Sequence, residues 1–272
     1  MRRRFFVDRF ENTTAVLRGD AAEHLGRVLR AEPGQLYELS DGQCVWLARI
    51  ERATLSKRGD NRIEFSLVEP VPCRAPSLEL HLLVALVKFD RFELCLEKAT
   101  ELGAHEIVPL AASRSDRPLI AAAAKRSQRW RKILIESAQQ SRRLRPPILR
   151  EVATAEDAFT ESRASTKIFF SERPGVPAIR AVLKSVSAGR SFSSDMIEAY
   201  TKGALAHEAA VNSEAGSAAI AIGPEGGWTD AEISAARSAG FLEVSLGANI
   251  LRTETAVAAA LAIVRFILDP DG

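Results

Sequence analysis

Two glycine-bearing loops near the end of the chain, each preceded by an apolar run and followed by a helix signal, constrain the fold most. The apolar residues 218–222 predict a buried strand. The Gly-Pro-Glu-Gly-Gly run at 223–227 then allows a sharp turn or a close approach to a ligand. Because Thr229 and Glu232 have the spacing of a capping box, we expect a helix over residues 230–240.

A second unit of the same kind follows directly. Residues 241–246 predict another strand, which Gly247 ends, and residues 256–268 predict an almost wholly apolar helix that must be buried on every side. Two strand–loop–helix units in tandem predict an α/β fold in which both loops lie at one edge of a parallel sheet. In open α/β sheets, ligands bind at that edge.

Neither loop contains a standard phosphate-binding motif. No Gly-Lys-Ser/Thr follows the glycines, as a Walker A motif requires, and neither loop has the G-x-G-x-x-G pattern of dinucleotide-binding sites. The glycines therefore do not predict a phosphate site, and ordinary tight turns in an α/β core remain an alternative interpretation of them.

The complete residue pattern of the two loops is more specific than the glycines. Ile222-Gly-Pro-Glu-Gly-Gly227, followed by Leu246-Gly-x-x-Ile-Leu-Arg-Thr-Glu-Thr-Ala256, resembles the SPOUT methyltransferases that methylate uridine N3 in small-subunit ribosomal RNA (the RsmE family). The resemblance implies a parallel-sheet domain with a deep trefoil knot, formed by the two loops and the last helix. It also implies that S-adenosylmethionine binds in the knot in a bent form, and that the target is a uridine in the decoding region of 16S ribosomal RNA.

The resemblance also implies roles for individual residues. The predicted cofactor-binding residues are Phe170, Ser171, Ile222, Gly223, Pro224, Gly226, Leu246, Gly247, Ile250, Leu251 and Thr253. Uridine N3 carries a proton, so Glu225 is predicted as the base or as a carboxylate that orients the target base. Arg252 is the second predicted catalytic residue. Its partner stays open among the cofactor carboxylate, an RNA phosphate, the developing uridine anion and an ion pair with Glu254.

A proline-rich connection over residues 70–76 predicts a domain boundary. Residues 1–72 predict a small β domain with a hairpin turn at the Asp-Gly pair 41–42. Its first residues resemble the PUA-like, RNA-holding amino-terminal domain of the same family. Residues 76–272 then form the predicted methyltransferase domain, and residues 185–214, polar and rich in small side chains, predict a surface insertion.

Charge is distributed unevenly along the chain. Residues 113–150 contain eleven Lys or Arg and two acidic residues, a net charge of +9, whereas residues 151–272 carry ten basic and sixteen acidic residues, a net charge of −6. A basic segment with so few acids favours a polyanion partner, and a solvated helix face is the alternative. The predicted RNA contacts are Arg4, Arg27, Arg30, Arg114, Arg126, Arg129 and Arg143.

The composition argues against several other classes. The amino terminus lacks the apolar segment of a secretory signal, and no apolar run approaches the roughly 20 residues of a membrane helix. Three cysteines without metal-type spacing predict no metal site and favour a reducing, cytoplasmic compartment. A homodimer is expected because the apolar last helix needs a second cover. A non-catalytic RNA-binding assembly factor and another nucleotide-cofactor α/β enzyme remain the alternative functions.

Overall fold

The chain forms two compact units. The computed structural model describes residues 3–56, 60–73, 76–182 and 216–269. The first unit comprises Met1–Ala75 and Ile135–Pro146, and the second comprises Pro76–Leu134 and Pro147–Gly272. The sequence-based division placed all of residues 76–272 in one domain, but the contacts group residues 135–146 with the first unit. The predicted insertion at 185–214 lies outside the described residues.

A six-stranded sheet forms most of the first unit. Its strands are β1 (Arg4–Phe6), β2 (Phe10–Glu11), β3 (Thr14–Arg18), β4 (Leu36–Ser40), β5 (Val45–Thr54) and β6 (Arg62–Val71). The order is β1-β4-β5-β6-β3-β2, with β1 parallel to β4 and the other neighbours antiparallel. The predicted turn at 41–42 joins β4 to β5. Gly42 has a φ of +87°, a left-handed conformation that glycine adopts without strain.

A short helical segment covers the apolar face of this sheet. It consists of α1 (Gly19–Glu23) and a π-helical turn (His24–Val28). Ala22 and Leu25 are fully buried against sheet residues such as Phe5 and Phe65. The first unit therefore has its own apolar core.

The second unit alternates strands and helices. Its strands are β7 (Leu78–Ala85), β8 (Ala104–Ala111), β9 (Ile148–Leu149), β10 (Ala153–Thr154), β11 (Thr166–Phe170), β12 (Gly216–Ile222) and β13 (Leu242–Val244). Its helices are α2 (Phe89–Glu101), α3 (Arg117–Gln140), α4 (Ala155–Glu161), α5 (Asp230–Ser238) and α6 (Thr253–Leu268). The last residues of α3 belong to the first unit.

The seven strands of the second unit form a parallel sheet with helices on both faces. The order is β10-β8-β7-β12-β11-β13, and β9 pairs with β8. Leu80, Leu82 and Val84 of β7 pack with α2, α3 and α6, whereas Leu83 and Ala85 pack with α4 and α5. Burial of both faces explains why these strands are continuous apolar runs rather than alternating ones.

Helix α6 differs from its prediction. It begins at Thr253 rather than at residue 256, and it packs on α2, β7 and β12 through Val257, Leu261 and Val264. Phe266 is 88% exposed, so the described residues do not cover this side of the helix, and its cover by a second copy stays a prediction. The helix therefore presents an apolar side chain to solvent in the single chain. In the part of the chain that the structure describes, no helix is both long and apolar enough to cross a bilayer.

Candidate functional site

The two glycine-bearing loops lie at one edge of the parallel sheet, as predicted. Because the strands run in the same direction, their carboxyl ends lie together, and the segments after β7, β8, β11, β12 and β13 start there. We call residues 223–229 the first loop and residues 245–252 the second loop. Strand β12 lies between β7 and β11, so the chain order changes direction at this point, which is where open α/β sheets bind ligands.

The first loop is fixed from beneath by Trp228. The indole Nε1 donates a hydrogen bond of 2.9 Å to the carbonyl oxygen of Phe170, at the end of β11. The ring lies directly against Gly223, where an added Cβ would be 2.7 Å from Cε2 and 2.8 Å from Nε1 of Trp228. Phe169 stacks on the other side at 4.8 Å between ring centroids. Gly223 is therefore required by the packing of Trp228.

Two arginines hold the first loop from the neighbouring strand ends. Arg114, after β8, donates from Nη1 to the carbonyl oxygen of Gly226 at 2.8 Å. Arg91, in the first turn of α2, forms an ion pair with Glu225. The carboxylate that was predicted to act on uridine therefore lies beside a guanidinium, and the side chain of Glu225 stays half exposed.

A buried carboxylate at the start of α5 ties the first loop to the segment after β8. Thr229 and Glu232 form the predicted capping box, in which the carboxylate accepts hydrogen bonds from the backbone N–H and the hydroxyl of Thr229, both at 2.8 Å. The second oxygen of Glu232, which is fully buried, accepts from the backbone N–H of Ser113 at 2.8 Å. The Glu232 carboxylate thus caps the start of the helix and fixes the first loop to the segment after β8.

Backbone hydrogen bonds hold the beginning of the second loop. Ser245 exchanges backbone hydrogen bonds with residues 177 and 179, at 2.8 and 2.9 Å, and the Ser171 N–H donates to the carbonyl oxygen of Val244 at 3.0 Å. Residues 247–250 of the loop are exposed, with Ile250 82% exposed, whereas Leu251 is half-buried. Gly247 has a φ of +133°, which disfavours any other residue, and an added Cβ would meet open space.

An unusual carboxylate follows the second loop, in the first turn of α6. The Oε2 atom of Glu254 is buried and has no hydrogen-bond partner among the described residues. The thiol of Cys95 on α2 lies close to it. Burial raises the pKa of Cys95 to about 12, and the Glu254 charge adds to that shift. Thr253 beside it is buried, whereas Arg252 is exposed, and no ion pair joins Arg252 to Glu254 in the described chain.

The sequence of the chain matches a family of RNA methyltransferases. The RNA methyltransferase domain family matches residues 74–265, which span most of the second unit. The ribosomal RNA small subunit methyltransferase E of Mycobacterium bovis is 31% identical, over 96% of this chain and 90% of that protein. The chain belongs to the ribosomal RNA small subunit methyltransferase E family.

Solved structures agree with this membership of the methyltransferase E family. The enzyme from Neisseria gonorrhoeae, bound to S-adenosyl methionine, has a TM-score of 0.75 and 28% identity, covering 98% of each chain. A Legionella pneumophila protein in complex with the cofactor SAM has a TM-score of 0.74 and 26% identity, again over 98% of each chain. These matches confirm the predicted α/β fold with a parallel sheet.

Two arginines that the family resemblance assigned to RNA have other partners. Arg4 is buried, and its guanidinium donates to Glu38 of β4 at 2.9 and 3.1 Å. Arg114 holds the carbonyl of Gly226, as described above. Because the Arg4 guanidinium is buried in the fold, we correct the assignment of Arg4 from an RNA contact to a structural contact. Arg114 is exposed, and its RNA contact stays a prediction.

The other predicted RNA-contacting arginines lie at the surface or near it. Arg126 and Arg129 of α3 form ion pairs with Glu93 of α2, at 3.4 and 2.7 Å, so part of the basic helix face is neutralised. Arg27 pairs with Glu23 at 3.1 Å and donates to the carbonyl of Ser56. The list is completed by Arg30, which is exposed, and Arg143, which is half-buried.

Sequence reasoning missed the two residues that shape the first loop most, Arg91 and Trp228. Arg91 lies just after β7, and this position could have indicated that its helix starts at the same sheet edge as the glycine loops. Trp228 directly follows the glycines, and a large aromatic residue in that position needs a buried partner. Within the described ranges, no group of His, Cys, Asp or Glu side chains could hold a metal ion.

Proposed function

We propose that the protein transfers a methyl group from S-adenosylmethionine to N3 of a uridine in the decoding region of 16S ribosomal RNA, within the small ribosomal subunit. Membership of the methyltransferase E family, established over 96% of the chain, is the observation that carries the proposal. The two loops at the carboxyl edge of the sheet are the proposed site. This reaction takes place in the cytoplasm, where bacterial small subunits are assembled.

The chemistry of the loops fits this cofactor. Adenine and ribose need apolar surface and backbone hydrogen-bonding groups, which the first loop and the exposed part of the second loop supply. The cofactor also carries a cationic ammonium group, and Glu254 offers a carboxylate oxygen that has no partner within the described residues. The proposed cofactor-contacting residues are those predicted from the sequence, with Glu254 added.

The strand order supports a trefoil knot in this unit. After β12 the chain passes along the first loop and α5 to β13, which lies beyond β11, and α6 then packs back on β12 and β7. In this path the end of the chain returns past the two loops to strands that precede them in sequence. The six-stranded sheet of the first unit supports a PUA-like domain in the same way.

Bound S-adenosylmethionine supplies an activated methyl group and its own leaving group, so the protein has to orient the nucleophile and manage one proton. Uridine N3 loses its proton when it forms the new bond to carbon. Glu225 is positioned to accept that proton or to orient the base, and Arg91 beside it stabilises negative charge on the uracil oxygens. Arg252, exposed at the start of α6, serves the substrate side of the site.

The RNA is held by phosphate contacts of arginines that are exposed or half-buried. We assign this role to Arg27, Arg30, Arg114, Arg126, Arg129 and Arg143. The ion pairs that Arg126 and Arg129 make with Glu93 do not preclude it, because surface pairs contribute only about 0–1 kcal/mol and can be exchanged.

A homodimer completes the proposal. Phe266 of α6 and Leu94 of α2, two helices that pack on each other, are exposed in the single chain, which leaves apolar surface for a second copy to cover. Light scattering at micromolar concentration should give twice the chain mass, and a monomer with full activity would contradict this part.

The decisive experiment is methyl transfer from labelled S-adenosylmethionine to small subunits isolated from cells that lack this enzyme, followed by mapping of the modified base. Methylation of one uridine at N3 in the decoding region supports the proposal. Binding of the subunits without methyl transfer would instead identify a non-catalytic assembly factor. Binding of NAD or ATP but not S-adenosylmethionine would identify another class of α/β enzyme.

A further inference from the structure

The turn that follows α3 carries three arginines in four positions, at 142, 143 and 145, and belongs to the first unit. Two polar side chains of the first sheet hold its backbone. Arg4 donates from Nη1 to the carbonyl oxygen of Arg142 at 2.6 Å, and the Ser40 hydroxyl donates to the carbonyl oxygen of Leu144 at 2.6 Å. The turn is therefore attached to strands β1 and β4.

A buried ion pair fixes the donor that holds this turn. The Nε and Nη2 atoms of Arg4 both donate to one carboxylate oxygen of Glu38, and each of the two side chains is only 9% exposed. The other oxygen of Glu38 lies 3.7 Å from Nη2 of Arg142. A guanidinium held by a carboxylate on one side presents its remaining N–H groups in a fixed direction.

The backbone of the turn is also locked at the end of the helix. Arg142 has a left-handed φ of +55°, and the N–H of Arg143 donates to the carbonyl oxygen of Ala138 at 2.9 Å, which closes the last turn of α3. Two carbonyls of the turn point inward, to Arg4 and Ser40. The side chains of Arg142 and Arg145 remain exposed.

An acidic side chain of the neighbouring turn is held by its own backbone. Asp41, in the turn between β4 and β5, accepts hydrogen bonds at 2.9 Å from the backbone N–H groups of Gln43 and Cys44. Arg145 packs beside the same turn, because a Cβ added to Gly42 would lie 3.9 Å from the Cβ of Arg145.

We propose that residues 142–145 form a pre-shaped phosphate-binding turn for the backbone of the RNA substrate, and that Arg4, Glu38 and Ser40 are positioning residues for it. The inference rests on the proposed RNA substrate. Arginine guanidiniums bind phosphates through paired N–H groups, and a fixed backbone reduces the ordering that binding requires. Arg4 thus serves RNA binding indirectly, through the turn.

The test uses the full-length protein and unmodified small-subunit RNA, with binding measured as a function of salt. The double variant Arg142→Ala/Arg145→Ala should bind about tenfold more weakly or worse, and the slope of log K against log salt should fall by roughly 1.4–1.8, since each lost phosphate contact contributes about 0.7–0.9. Affinity for S-adenosylmethionine should not change. The KM for RNA should rise while kcat stays the same.

Arg52→Ala is the matched control. Arg52 is an exposed arginine of β5. It lies seven residues, or roughly 20 Å along the strand, from Val45, the residue of β5 that pairs with Ser40. It removes a positive charge from the same unit but not from the turn. A salt slope that falls as much in Arg52→Ala, per charge removed, as in the double variant would show a general charge effect and overturn the proposal.

Positioning is tested separately by Glu38→Gln and Ser40→Ala. Glu38→Gln leaves Arg4 buried without its charge partner, so its fold must be checked by circular dichroism. Ser40→Ala removes a single hydrogen bond to the turn and should weaken RNA binding about threefold while leaving the melting profile and cofactor affinity close to wild type. Wild-type RNA affinity in a folded Ser40→Ala protein and a folded Glu38→Gln protein would contradict the positioning role.

The outcomes separate this inference from the proposed function. If the wild type transfers methyl groups and the double variant matches it in salt slope and KM, the phosphate-binding turn is wrong and the enzyme assignment stands. If the wild type binds RNA but transfers no methyl group, and the double variant loses the salt slope, the turn is supported and the proposed chemistry fails.

Discussion

The two glycine loops of the site are held in very different ways. Three side-chain contacts fix the first loop: its own Trp228 bonds to the end of β11, Arg114 bonds to Gly226, and Arg91 pairs with Glu225. The second loop has backbone hydrogen bonds at Ser245, and its residues 247–250 are exposed. The site thus has one preformed wall and one adaptable wall.

This difference suggests a division of labour in the proposed site. A wall whose shape is fixed before binding gives shape selection at little cost in ordering, whereas an exposed loop becomes ordered only when a ligand covers it. Ile250 in the second loop is exposed, and the Oε2 atom of Glu254, just after this loop, has no hydrogen-bond partner among the described residues. We therefore expect changes at the first loop to act through packing. Changes at or next to the second loop should act through ligand contacts or local strain.

The largest effect is expected from Gly223→Val. Its Cβ alone would collide with the buried Trp228 ring, and a displacement of about 1 Å at such a site costs on the order of 100-fold in function. Calorimetry should show S-adenosylmethionine affinity at least ~100-fold weaker, with the first unit still folded. Gly216→Val, at the other end of the same strand, is the control, because its added Cβ makes only an ordinary 3.6 Å contact with Leu78. Near-normal affinity in Gly223→Val would remove the fixed-wall description.

Next in size is Glu254→Gln, which removes a charge from the second side without changing its shape. A charge-assisted hydrogen bond contributes about 1.5–3 kcal/mol, so S-adenosylmethionine affinity should fall roughly 10- to 100-fold. Affinity for 5′-methylthioadenosine, which lacks the amino-acid group, should be unchanged. Glu156→Gln on the exposed surface of α4 serves as the control. Equal losses for both ligands would show that Glu254 acts through packing, like the first side.

A moderate loss is expected from Trp228→Phe. The change removes the indole N–H and leaves the Phe170 carbonyl without its donor, which costs about 1–3 kcal/mol, so cofactor affinity should fall around tenfold. A double-mutant cycle with Gly223→Ala then identifies what Gly223 makes room for. If the smaller ring of Phe restores binding in the Gly223→Ala background, the glycine serves Trp228; if it does not, the glycine serves the ligand.

The smallest effect is expected from Gly247→Val. The strain of a non-glycine residue at a φ of +133° is about 1 kcal/mol or more, but the exposed loop can relax, so affinity should fall only about fivefold. Gly247→Ala introduces the same strain without bulk. Equal losses in the two variants indicate strain alone, and a much larger loss in the valine variant indicates that the ligand approaches Gly247 as closely as the residue pattern implies.

Local patterns in the sequence predicted local features well. The capping box at Thr229 and Glu232 and the hairpin turn at Gly42 are set by residues a few positions apart, and both are present as predicted. The continuous apolar runs correctly indicated a parallel sheet buried on both faces. The loop motifs predicted the family, which the comparisons confirm.

Roles that depend on distant partners could not be predicted in this way. Arg4 is indistinguishable in sequence from an exposed arginine, and only the fold brings it to Glu38. In the same way, only the fold brings Arg114 to the carbonyl oxygen of Gly226. The neutralising Glu93 lies more than thirty residues before Arg126. The apolar character of α6 indicated that the helix needs a second cover, but it did not indicate that Phe266 is a side chain left exposed in the single chain.

The split composition of the first unit has a consequence for synthesis on the ribosome. Its sheet is complete at residue 75, yet the segment that receives the Arg4 and Ser40 hydrogen bonds ends at residue 146. At a translation rate of about 5–20 residues per second, roughly 4–14 seconds separate the emergence of these two parts. During that interval the nascent sheet contains the Arg4 and Glu38 pair but not the turn whose carbonyl oxygens accept the Arg4 and Ser40 hydrogen bonds. A fragment that stops at residue 75 should therefore be less stable than the same unit within the whole chain.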